Sequence, residues 1–238
     1  MGRSPLWTAI RDHISDEIAR GHYAPGDRLP TEAQLAERFR VNRHTVRRAL
    51  ADLTAAGILH ARRGAGVFLR HRPTAYPLGR RVRFHQNLTA AGRVPDRRML
   101  LLETRSANAA EAQALGLDPG AEVHVYEGLS LADGVPIALF RSVFPAARFP
   151  RMLEALEASQ SVTAAFAAHG LADYTRASTE ITAKPATPTL AAQLELPAGA
   201  AILRTVAVNV DAEGAPVEFG RTWFAGDRVA LTLGAEGL

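Results

Sequence analysis

Asn42-Arg43-His44-Thr45-Val46-Arg47-Arg48-Ala49-Leu50-Ala51-Asp52-Leu53 sets its apolar side chains at 46, 49, 50 and 53, the three-and-four spacing of one buried helix face. Asn42 is placed to cap this helix and Gly57 to stop it. The other face carries Arg43 and Arg47 at i and i+4, with His44 and Arg48 beside them. Upstream, Thr31 can cap a shorter helix whose Leu35 and Phe39 face inward, and Arg40-Val41 separates the two. Further back, Leu6, Ile10, Ile14 and Ile18 form the stripe of a first helix, followed by Gly21 and the turn Pro25-Gly26-Asp27. Two short helices around a tight break, the second rich in Arg, His and Thr in its first turn and a half, have the build of a helix-turn-helix reader of the major groove. Arg43 and Arg47 suit guanine edges, and Thr45 suits a phosphate or a thymine methyl. A solvated basic helix face has the same local pattern.

The next residues decide between these alternatives. Ile58-Leu59-His60 reads as a strand, Arg62-Arg63-Gly64-Ala65-Gly66 as a basic turn and Val67-Phe68-Leu69 as the returning strand, which together make a wing. Glycines at its tip let the backbone approach phosphate or the minor groove, while Arg62 and Arg63 supply charge. Charge over the whole chain agrees. The 238 residues carry a net +4, but residues 1–72 hold thirteen Arg against seven acidic residues and are net +6, while the remainder is net −2. A basic first third suits a phosphate-backbone partner.

Composition narrows the classes further. With 47% apolar and 22% charged residues the chain reads as globular and long enough for two domains, and no apolar run approaches the roughly 18 residues of a membrane span. Residues 1–5 lead into an amphipathic pattern without the apolar stretch of a signal peptide, so a cytoplasmic location is expected. There are no cysteines, which excludes disulfides, thiolate nucleophiles and thiolate metal sites. The eight histidines are scattered, and neither a metal-ligand spacing, a nucleophile elbow nor a glycine-rich phosphate loop is present. No metal, cofactor or catalytic residue is therefore expected.

Taken in order, Pro5-Leu6-Trp7, Pro25-Gly26-Asp27-Arg28-Leu29-Pro30-Thr31-Glu32, Leu35-Ala36, Arg43 to Leu50, Gly57 and Gly64-Ala65-Gly66-Val67-Phe68 resemble the N-terminal domain of GntR-type bacterial repressors over about 65 residues. The resemblance implies groove contacts by Arg43, His44, Thr45 and Arg47 and wing contacts by Arg63, Gly64 and Gly66. Arg48 and Arg62 join the candidate DNA-binding set through their positions on the same helix face and wing. One departure is Ala33, where some members carry a DNA-contacting arginine.

The first domain is expected over residues 1–72, a linker over 73–77, where two prolines interrupt a stretch without periodicity, and a second domain over 78–238. An internal repeat organises the second domain. Leu115, Leu117, Gly120, Ala121 and Val123 recur as Leu194, Leu196, Gly199, Ala200 and Ile202, and Gly134, Pro136, Arg141, Phe144 and Arg148 recur as Gly214, Pro216, Arg221, Phe224 and Arg228. Each copy reads as a strand (100–105; 179–184), a short helix (109–115; 189–194) and a hairpin (123–144; 202–224), which predicts an α+β domain with helices on one face of an antiparallel sheet. The hairpin Leu131 to Leu139 and the stretches Glu218-Phe219-Gly220-Arg221 and Gly226-Asp227-Arg228 resemble the UTRA effector domain of the HutC subfamily, which implies a chorismate-lyase-like fold. Tyr76 to Leu88 looks most like the subfamily's regulators of phosphonate uptake and breakdown.

Arg80, Arg81 and Arg83 precede a segment, Gln86 to Ala91, able to open a short helix, which together would make an anion site; three surface arginines are the plainer reading. Phe84, His85, Gln86 and Asn87 belong to the same candidate site. Subfamily members that bind sugar phosphates carry two arginines and a carboxylate where this chain has Gly128, Ser130 and Phe140, which implies a smaller anionic ligand such as a phosphonate or phosphate ester, with a sugar phosphate as the alternative. Ser130, Arg141, Glu218 and Arg221 complete the candidate ligand set, Arg141 and Arg221 being equally readable as structural arginines at matching repeat positions. The expected protein is a homodimeric repressor on an inverted-repeat operator, with no membrane partner; a lyase-like enzyme is the alternative of a different class.

Overall fold

The computed structural model describes residues 5–62, 64–69, 73–81 and 84–233. The chain divides into two compact units, Met1–Arg72 and Pro73–Leu238.

In the first unit, α1 (Leu6–Ala19), α2 (Glu32–Phe39) and α3 (Arg43–Ala55) precede a hairpin of β1 (Leu59–Arg62) and β2 (Gly66–Leu69). Thr31 starts α2 with a capping box closed by Gln34, and the Asn42 side chain accepts from the His44 N–H at 2.9 Å to start α3. Between them Arg40 takes the left-handed conformation at φ 53°, which gives the tight turn. Ile10, Ile14, Leu35, Val46, Leu50, Leu53, Leu59 and Leu69 close one core. Leu6, expected in the stripe of α1, is exposed; it lies in the first turn, and its neighbour Trp7 packs on the core instead. Residues 26–29 run beside β2, with Leu29 N–H donating to Val67 O at 2.8 Å and Arg28 bridging to Phe68.

The second unit is built on a six-stranded antiparallel sheet of β4 (Pro95–Ser106), β5 (Glu122–Ala132), β6 (Val135–Pro145), β7 (Thr175–Pro185), β8 (Ala201–Val210) and β9 (Pro216–Ala225), in the order β4-β5-β6-β9-β8-β7. Each repeat supplies three adjacent strands, and β6 meets β9 at the centre, where Arg141 lies opposite Arg221. These two residues are counterparts in the repeat, so a local dyad passes through this pair.

Helices cover both faces of the sheet, not one as the sequence suggests. Leu115 of α5 (Ala109–Leu115) and Leu190 and Leu194 of α8 (Pro188–Gln193, with Leu194 its cap) pack on Val125, Leu129, Leu139 and Val143. The opposite face receives Phe84 and Leu88 of α4 (Phe84–Ala90), Met152 and Leu156 of α6 (Met152–Ser159), and Val162 and Phe166 of α7 (Val162–Ala168). Strand alternation separates the two sets: Tyr126, Ala138, Phe140 and Phe144 look one way, and Val125, Leu139 and Val143 the other.

Residues 74–77, expected as linker, form a strand. This strand, β3 (Thr74–Pro77), pairs in parallel with β10 (Val229–Thr232), burying Thr74 and Tyr76 alternately, with Tyr76 tilted against Phe224 at 5.3 Å. The partner strand comes from the far end of the chain, so no local pattern announces it.

Candidate functional site

In the first unit, Arg43, His44, Arg47 and Arg48 are exposed on α3 and Thr45 is half-buried. Two of the arginines are already held. Arg47 forks onto Glu32 with Nε at 3.0 Å and Nη2 at 2.7 Å, and this pairing keeps the Glu32 carboxyl below its usual range. Arg48 lies over the Trp7 ring at 4.7 Å, so α1 positions a cation at the edge of this exposed face. In the wing, Gly64 has φ +76° and open space around it, as a close backbone approach needs. Gly66 has φ +110°, and a Cβ there would stand 2.9 Å from Nε of Arg28. Arg63 and the side chain of Arg62 lie outside the described residues. Arg28 was not singled out from sequence: only its bridge to Phe68 brings this exposed cation under the wing.

In the second unit a cavity of about 290 Å³ opens on the sheet face that carries α4, α6 and α7. Its floor is Ser130, Phe140, Asn209, Glu218, Thr222 and Phe224; its walls are Tyr76, Phe84, Gln86, Arg97, Tyr174, Arg176 and the start of α7, Ser161 to Thr163. Glu218 is buried and already accepts from Ser142 Oγ at 2.5 Å and Asn209 Nδ2 at 2.6 Å, while Arg176 Nε donates to Asn209 Oδ1 at 3.0 Å. This chain fixes the carboxylate and leaves each of its oxygens a further lone pair. Tyr174 and Thr163 are joined hydroxyl to hydroxyl at 2.9 Å. The Tyr76 phenol is pushed up by burial, so it stays protonated as a donor. Arg97 crosses the mouth from β4 with its guanidinium between the rings of Phe84 at 5.0 Å and Phe140 at 4.9 Å. The arrangement suits a small polar ligand with an anionic end and a group able to donate to Glu218.

Of the ligand residues expected from sequence, Phe84, Gln86, Ser130 and Glu218 line this cavity. The others are placed elsewhere. Arg80 lines a separate hollow with Leu78, Ser178 and Ile181. Arg81 is paired with Asp173, its Nε at 3.1 Å. Asn87 donates to Pro77 O at 3.3 Å and fastens β3. Arg83 and the side chain of His85 lie outside the described residues. Arg141 and Arg221 sit on the opposite sheet face, because odd-numbered positions of β6 and β9 point away there. Arg141 is held by Glu127, Nε to Oε2 at 2.6 Å, whereas the repeat places Val206 beside Arg221, whose guanidinium is pushed down by burial. Arg97, Arg176, Asn209 and Tyr174 were not expected. Their signal is only the cross-strand register, Arg97 opposite Ser130 and Arg176 opposite Asn209.

The model of bacterial regulatory proteins, gntR family, matches residues 6–69, and the UTRA domain model matches residues 90–230. The chain is 42% identical over 229 residues to an uncharacterized HTH-type transcriptional regulator of Rhizobium meliloti (strain 1021), covering 96% of this chain and 94% of that one. It is 34% identical over 219 residues to the "Probable transcriptional regulator PhnF" of Escherichia coli (strain K12), covering 92% and 90%. The crystal structure of PhnF from Mycobacterium smegmatis covers 94% of this chain and 98% of its own at a TM-score of 0.68 and 28% identity. Among the described residues no helix is long and apolar enough to cross a membrane.

Proposed function

The chain belongs to the gntR family of bacterial regulatory proteins and carries a UTRA domain, and from this premise we propose that it is a repressor which leaves its operator when a small anionic effector, a phosphonate or phosphate ester, enters the cavity of the second unit. The observation that carries this reading is the cavity itself: about 290 Å³, walled by two guanidinium groups, Arg97 and Arg176, and by a ring of hydroxyls. That volume holds a compact ligand, and its charge favours an anion. A second reading, a sugar phosphate, draws on Glu218, a fixed acceptor for hydroxyls. The reader is α3 with the β1–β2 wing. One recognition helix spans only a few base pairs, so a homodimer on an inverted repeat supplies the needed specificity. No catalytic part is assigned to the cavity, and a cytoplasmic location fits a DNA partner.

Effector and DNA are coupled reciprocally: an effector that weakens operator binding about 5- to 150-fold must itself bind that much more weakly to the operator complex. Titration of operator with the full chain, with and without methylphosphonate, inorganic phosphate and a hexose phosphate, tests the reading. Release by one of them supports it, and unchanged operator affinity with all three overturns it.

A further inference from the structure

We propose that Arg97, clamped between Phe84 and Phe140, is the anchor for the effector's tetrahedral oxyanion, and that Gly128 is the residue that permits the clamp. The inference rests on the effector-cavity reading above and assigns the charge recognition within it to one side chain that no sequence motif marks.

Three observations converge. A guanidinium donates only in its own plane, and here its central carbon stands over two aromatic rings, at 5.0 and 4.9 Å. The rings hold the cation without satisfying an N–H. Nη1 donates to Gln160 O at 3.3 Å, and Nε is buried. The buried phenol of Tyr126 lies beside this guanidinium and interacts with it. The second observation is charge. Arg81, Arg93, Arg105, Arg141 and Arg148 each have a carboxylate within ion-pair distance, and among the described residues Arg97 has none. Among the described residues the one carboxylate lining the cavity, Glu218, is occupied by Ser142 and Asn209. A partly desolvated cation with no counter-ion among the described residues, in the wall of a cavity, is a seat for an anion. Ser130, opposite Arg97 in the β4–β5 register and lining the same cavity, adds a hydroxyl donor suited to a second oxygen.

The third observation is how the clamp is built. Gly128 lies between Met99 on β4 and Phe140 on β6. A Cβ at 128 would stand 2.7 Å from Arg98 O and 2.9 Å from the Phe140 ring. The backbone oxygen cannot move aside cheaply, so only glycine lets the Phe140 ring lie across β5 and reach Arg97. The other jaw, Phe84, opens α4, so an anion on Arg97 also consolidates the helix that Asn87 ties to β3.

The test is calorimetric titration of methylphosphonate and of inorganic phosphate into the full-length wild type, Arg97→Gln, Arg97→Lys, Gly128→Ala and Glu218→Gln. One charge-assisted contact predicts that Arg97→Gln weakens a probe that wild type binds by roughly 10- to 150-fold, and that Arg97→Lys restores only part of this because an ammonium does not fill the planar slot. Gly128→Ala, which keeps the arginine but displaces its clamp, is expected to weaken the same probe. Unchanged melting temperature and operator affinity without ligand show that the variants are folded; should Arg97→Gln fail to fold, Gly128→Ala and Arg97→Lys decide. A probe bound equally by wild type, Arg97→Gln and Gly128→Ala but lost in Glu218→Gln overturns the anchor and leaves the cavity reading standing. Wild type that binds neither oxyanion at millimolar concentration overturns both.

Discussion

Replacing Phe166 by Ala probes the packing that stands behind the cavity. Phe166 of α7 is fully buried and meets Phe144 at 5.5 Å, Phe149 at 5.1 Å and Tyr174 at 4.9 Å, mostly edge to face. Truncating such a ring removes transfer free energy and leaves a void that β6 and α6 cannot fill without moving, a loss of about 3–5 kcal/mol. The aromatic pairs belong to that figure and are not added to it. For a domain of this size each kcal/mol lowers the midpoint by about 2–4 °C, so the second unit is expected to melt roughly 6–20 °C earlier. The first unit has no residue in this cluster and is expected to keep its transition. The two tryptophans report separately, Trp7 beside α3 and Trp223 on β9, so thermal melts of Trp7→Phe and Trp223→Phe backgrounds read each unit alone. Tyr174 loses its backing as well, and because its hydroxyl bonds Thr163 in the cavity wall, ligand affinity should fall with stability. A loss under about 1 kcal/mol, or an equal shift of the Trp7-reported melt, would refute the reasoning.

Further outcomes follow from the same geometry. Arg43→Ala is expected to cost about 1–3 kcal/mol on operator and little on random DNA in a fluorescence-anisotropy titration; equal losses on both would remove its base contact. Gly66→Ala forces a strained φ and drives a Cβ into Arg28, so it should weaken operator and random DNA alike while the second unit's melt stays put; intact DNA binding would dismiss the wing. Acid should destabilise both units. Glu17 beside Arg38, Glu32 beside Arg47 and Asp211 beside Arg148 are held below the ordinary carboxylate range, so the folded state binds fewer protons than the unfolded one there, and the stability they contribute is present above about pH 4.5 and drains away below it. His124, pushed down by burial, adds an earlier loss as pH falls through about 6.5, and midpoints that hold steady from pH 7 to pH 3 would contradict both assignments.

The parts legible in the sequence are those written by neighbours in the chain. The caps at Thr31 and Asn42, the buried face of Val46, Ala49, Leu50 and Leu53, and the glycines of the wing act within a few residues of themselves. The repeat was legible because duplication preserves spacing. The cavity was not, because its residues meet only through register. Both edge strands carry an irregularity, between Met99 and Leu101 in β4 and between Arg176 and Ser178 in β7, and each shift of one residue exchanges the faces of the side chains that follow. Arg97 and Arg176 therefore reach the cavity from strands whose alternation cannot be counted through, while Arg80 and Arg81, conspicuous together in sequence, do not line it.

The parallel pair of β3 and β10 also has a consequence in time. β3 follows the first unit directly, but its partner, Val229–Thr232, comes in sequence only after all six strands of the large sheet. On the ribosome, at about 5–20 residues per second, the DNA reader emerges and can fold many seconds before the strand that seats its tether has been synthesised. Through that interval β3 has no strand to pair with. If the proposed function holds, a nascent chain at that stage would hold DNA without answering to an effector.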